Sequence, residues 1–92
     1  MQSEDVSRLQ RALEALQAAA PELSDTCAVV LLATREFHDS GRGKGVNTTL
    51  IAQRLDIEHA MVRRAATELE TGGYITSIPV GGASPALRLK PV

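Results

Sequence analysis

Residues 49–75 read TLIAQRLDIEHAMVRRAATELETGGYI, and the apolar spacing in this stretch decides the fold. Ile51, Ala52 and Leu55 recur at helical intervals, so 49–55 predicts a short helix with these three facing inward. Ala52 is small where two helices must approach closely. Asp56-Ile57 leaves room only for a tight turn, with Ile57 plugging it. From Glu58 the helical pattern resumes: Val62, Ala65, Ala66 and Leu69 share one side of a longer helix, about 58–71. Gly72-Gly73 ends it, because glycine accepts the left-handed conformation in which helices often terminate. Tyr74-Ile75 then opens an extended segment.

Downstream, Tyr74–Pro79 and Ala86–Lys90 alternate as strands, with Leu87 and Leu89 opposed to Arg88 and Lys90. The turn-rich run 80–85 (VGGASP) joins them into a β-hairpin. Upstream, Gly41-Arg42-Gly43-Lys44-Gly45 is a flexible basic loop, and Val46-Asn47 has room for a one-bridge strand. Asn47 or Thr48 caps the short helix. Helix, short turn, helix, glycine and hairpin in that order make a winged helix-turn-helix.

The same stretch resembles the winged-helix regulators of the multiple-antibiotic-resistance (MarR-like) family. The matching residues are Thr48, Ile51-Ala52, Leu55, Ile57, Val62, Leu69-Glu70 and Gly73-Tyr74-Ile75, and the match spans roughly residues 46–90, about half the chain. The resemblance implies that 58–71 is a recognition helix lying in the major groove of double-stranded DNA. Val62, Ala66 and Leu69 point inward, which leaves His59, Ala60, Arg63, Arg64 and Thr67 for the groove or solvent. Arg63 and Arg64 diverge by roughly 100° on a helix, so one faces the groove while the other reaches phosphate; the alternative is a pair of solvated arginines bound to Glu68 or Glu70. Thr48 and Thr49, at the start of the shorter helix, are candidate phosphate contacts or simply caps. Arg42 and Lys44 in the loop, and Arg88 and Lys90 in the hairpin, complete the candidate DNA-binding set. The sequence departs from the family at two points. Glu58 stands where a Ser or Thr cap is usual, and the wing tip Gly81-Gly82-Ala83-Ser84 has no basic residue.

Two helices precede this unit. The segment from about Ser24 to Asp39 places Cys27, Val30, Leu31, Thr34 and Phe37 on one face and predicts a buried helix. The segment from about Ser3 to Ala20 carries Val6, Leu9, Leu13 and Leu16 at alternating gaps of 3 and 4, a heptad-like seam. That seam predicts a dimerisation helix, with packing inside its own domain as the alternative. The expected organisation is one domain over 1–92, mainly α with a small hairpin: an N-terminal helix (1–23) followed by the winged unit (24–92).

Net charge is −1, but it is unevenly placed: residues 1–41 hold three basic and seven acidic side chains, and 42–92 hold seven basic and four acidic. That asymmetry suggests a part that assembles and a part that meets an anion. The chain is 43% hydrophobic and only 2% aromatic, so the core is aliphatic and thin for its size. With one cysteine, Cys27, no intrachain disulfide can form. The polar N-terminus and the short apolar runs predict a cytoplasmic chain with no membrane contact. Catalysis is not expected. Cys27 sits in an apolar run, His38 and His59 lack zinc-ligand spacing, and Gly45 follows Lys44 where a P-loop needs Ser or Thr. The expectation is a homodimeric transcriptional regulator on double-stranded DNA, without cofactor or metal. The alternatives are a winged helix that contacts a protein partner in a larger assembly, and a plasmid or phage replication or partition factor.

Overall fold

The computed structural model describes residues 3–40 and 45–92, with side chains from residue 7 to 38 and from 45 on. The described elements are helices α1 (Ser3–Ala19) and α2 (Asp25–Ser40), strand β1 (Val46–Asn47), helices α3 (Thr48–Leu55) and α4 (His59–Thr71), and strands β2 (Ile75–Pro79) and β3 (Leu87–Pro91). The chain is thus mainly helical with a small antiparallel sheet. The sheet has three strands rather than two, because Val46 and Asn47 pair with Leu89 and Arg88, which gives the order β1-β3-β2. None of the described helices is long and apolar enough to cross a membrane.

Local chemistry sets each boundary. Ser24 Oγ accepts the Cys27 amide at 3.1 Å and caps α2. Asn47, not Thr48, caps α3, its Oδ1 accepting the Thr49 amide at 2.8 Å. Asp56 closes α3 in the left-handed conformation (φ 55°), and its N–H returns to the Ala52 carbonyl. A short polar side chain tolerates that conformation better than a β-branched one. Glu58 precedes α4 without a side-chain cap bond. At the far end Gly73 has φ +82°. Its amide reaches Glu70 O at 3.0 Å and the Tyr74 amide reaches Leu69 O at 2.9 Å, the paired bonds of a Schellman motif.

The core lies where α2, α3, α4 and the inner face of the sheet meet. Val30, Leu31, Ile51, Val62, Ala65, Ala66, Leu69, Ile75 and Leu89 are buried there, with Ile57 and Leu55 packed at its margin. The β2–β3 register sets Thr76 opposite Lys90 and Ile78 opposite Arg88. Those four side chains therefore share the outer face, while Ile75 and Leu89 point inward. Pro79 and Pro91 fall on the same alternation as Ser77. The Ser77 amide donates to Glu70 Oε2 at 2.9 Å, not to β3, so neither proline withholds an N–H from this ladder.

The N-terminal seam divides. Leu16 packs against the chain's own core, whereas Leu9 and Leu13 are only half-buried, on the side of α1 that meets α2. Among the described residues, the exposed outer face of α1 carries Arg11, Glu14, Ala15 and Ala18, with no stripe of large apolar side chains. The Val6 side chain lies outside the described residues.

Candidate nucleic-acid interface

The 3.6-residue period that buries Val62, Ala65, Ala66 and Leu69 forces the opposite stripe of α4 outward. That stripe is Ala60, Met61, Arg64, Thr67, Glu68 and Thr71, all exposed. Arg64 is the most open of the candidate cations on this helix, its side chain 85% accessible and its Nε 4.0 Å from Glu68 Oε1. Such a surface pair is worth at most a few tenths of a kcal/mol, so the guanidinium can exchange it for another acceptor at little cost. Thr67 and Thr71 spend their hydroxyl protons on the carbonyls of Arg63 (3.1 Å) and Thr67 (2.9 Å). Outward they present a methyl group and a lone pair rather than a donor.

His59 and Arg63 lie one turn apart, on the flank of α4 that faces α3. His59 Nε2 shares a 2.7 Å hydrogen bond with Thr48 Oγ1. Arg63 is half-buried, and its Nε is enclosed without a hydrogen-bond partner. The two adjacent arginines therefore occupy different environments: Arg64 projects into solvent, and Arg63 is partly enclosed.

Thr48 must be withdrawn as a phosphate contact. It is fully buried, and its hydroxyl both meets His59 and accepts the Leu87 amide at 3.0 Å. One side chain thereby joins α3, α4 and β3. Thr49 is exposed, but Asn47 already occupies its amide. Arg88 is exposed at the middle strand and Lys90 half-buried beside it. Arg42 and Lys44 lie outside the described residues.

Sequence reasoning missed the part played by Glu68. Its Oε2 accepts the Cys27 thiol at 2.9 Å while Oε1 approaches Arg64, so the buried cysteine steadies the carboxylate beside the exposed guanidinium. Burial, then the Glu68 hydrogen bond, push the thiol above the ordinary cysteine range, which keeps it protonated as the donor this contact needs. The (i, i+4) spacing of Arg64 and Glu68 signals the ion pair, but nothing in the sequence links Glu68 to Cys27. Glu70, the other suggested arginine partner, is turned to β2 instead.

The hairpin tip, residues 80–86, contains no charged side chain. Gly81 and Gly82 turn it with φ of 106° and 62°, and the Val80 amide closes it on Ala86 O at 3.1 Å. Comparison of the chain with protein-family models, with curated proteins and with solved structures finds no match.

Proposed function

We propose that the chain is a winged helix-turn-helix domain that binds double-stranded DNA, with α4 as the recognition helix and transcriptional regulation as its role. The observation that carries this reading is the outward stripe of α4. It stands on a rigid helix, next to a one-residue left-handed turn at Asp56, and projects Arg64 with methyl-bearing Ala60, Met61 and Thr67 around it. An arginine fork matches the guanine edge, and methyl groups match the thymine methyl. The element order α2-β1-α3-α4-β2-β3, with a short turn between α3 and α4 and a β2–β3 hairpin after them, also supports it. Arg88 on the central strand and half-buried Arg63 supply cations for phosphate.

Selection of bound sequences from random duplex DNA tests the reading. On the selected site, Arg64→Ala should weaken binding by about 1–3 kcal/mol, roughly five- to a hundred-and-fiftyfold. Arg63→Ala together with Arg64→Ala should abolish specific binding while the far-UV circular dichroism stays unchanged. Affinity should also fall steeply with salt. Failure to enrich any sequence, or unchanged affinity in the double variant, would reject DNA as the partner.

A protein partner is the second reading. It is favoured by exposed Met61 (47%) and Ile78 (56%) and by a hairpin tip that carries no charge. Binding of that kind would vary little with salt and would be lost in Met61→Lys.

A further inference from the structure

The outward stripe of α4 holds one charged donor and one charged acceptor, both exposed. Arg64 is the donor. It meets Glu68 through Nε, which leaves the two terminal nitrogens of its fork without a partner among the described residues. Thr67 and Thr71 have given their hydroxyl protons to main-chain carbonyls, so they add no donor. Glu68 is the acceptor and, though exposed, it is fixed from below. Cys27, 2% exposed in the first turn of α2, has one thiol proton and two acceptors in reach: Ala65 O at 3.9 Å and Glu68 Oε2 at 2.9 Å. The nearer, charged oxygen takes it. A carboxylate held in this way forfeits little rotamer freedom on binding.

We infer that Glu68 is a second base-reading residue, and that Arg64 and Glu68 together select a guanine and, one or two steps from it, a cytosine. The inference rests on the reading of α4 as a DNA-recognition helix. An ionised carboxylate only accepts hydrogen bonds, and the four bases answer it differently in the major groove. Guanine offers N7 and O6 and thymine offers O4, all acceptors, which repel it. Adenine offers the N6 donor, but with the N7 acceptor beside it. Cytosine offers the N4 donor and no acceptor. Four positions of helix separate the two side chains by about 6 Å of rise, and base pairs repeat at about 3.4 Å. The two contacts thus fall on neighbouring or next-neighbouring pairs.

Selection from random duplex DNA, with the full chain and its variants in parallel, tests this. The wild type should enrich a guanine and a cytosine one or two steps from it. Glu68→Gln should keep the guanine and move the second position from cytosine to adenine, because an amide pairs with both N6 and N7 of adenine; the cytosine-to-adenine ratio should fall about fivefold or more. Cys27→Ala should keep the guanine but flatten the cytosine preference about fivefold. Cys27→Ser, which retains a donor, should restore it. The guanine, read by Arg64, reports in each variant that the fold and the DNA contact survive; if the Cys27 variants lose it as well, Glu68→Gln alone decides. Enriched sites without cytosine at that spacing, a cytosine preference unchanged in Glu68→Gln, loss of the guanine in that variant, or equal preferences in Cys27→Ala and the wild type would each overturn the assignment while leaving α4 a recognition helix. So would an equal loss in Cys27→Ala and Cys27→Ser with the guanine kept. Enrichment of no sequence at all would reject DNA as the partner, and the base-reading role of Glu68 with it.

Discussion

Thr48 shows how much a single hydroxyl can organise. Its buried oxygen serves the Leu87 amide and the His59 ring together. Thr48→Val keeps the volume but leaves both groups without a partner, so it should cost about 1–3 kcal/mol per stranded group. Thr48→Ser should recover most of that, as read by urea unfolding. Tyr74 makes a different kind of contact, its hydroxyl donating to Glu22 beyond α1. That bond holds the Glu22 carboxyl below its ordinary range, and Glu22 in turn holds the Tyr74 phenol above its own. A depressed carboxylate contributes stability that is present above its unfolded value and lost as pH falls through the folded one. A raised phenol contributes stability that is present below its unfolded value and lost as pH rises through the folded one. The stability difference between wild type and Tyr74→Phe should therefore be a plateau across neutral pH that collapses at both the acid and the alkaline edge. A difference independent of pH would contradict this account.

At the scale of elements, the end of α4 separates two adjacent glycines by mechanism. A Cβ at Gly73 meets nothing within 4 Å, but φ of +82° is strained for any L side chain, so Gly73→Ala should cost about 1–2 kcal/mol. A Cβ at Gly72, where φ is an ordinary −79°, would come within 3.0 Å of the Tyr74 ring. Gly72→Ala should therefore weaken the Tyr74–Glu22 contact and flatten its pH dependence, which Gly73→Ala should not do. The helices and the hairpin were legible because period and glycine placement are local properties of the chain. Thr48 was misread because its burial depends on β3 crossing over α3, a contact across 39 positions of sequence. A helical projection sets Arg63 roughly 100° from Arg64 and nearer the buried stripe, but how far neighbouring elements enclose that flank depends on tertiary packing, which the sequence does not carry. The third strand was seen only as a possibility, since two residues carry no pattern.

For the whole molecule, the radius of gyration of 12.7 Å is close to the roughly 12 Å expected of a compact chain this long. The N-terminal helix thus lies on the body rather than extending from it. Gln17 bonds Asp25 at 3.0 Å and Arg8 bonds Glu36 at 3.2 Å along that seam.

The contact between Glu70 and the Ser77 amide reaches beyond local order. Along the outer margin of β2 the carboxylate occupies one donor, and Pro79 has none to give. A foreign strand approaching that margin would find little main chain to zip onto. Recruitment of an extended peptide, and growth of the sheet into fibrils, are therefore closed along this edge. Glu70→Ala would be the change that frees the Ser77 amide for such a strand.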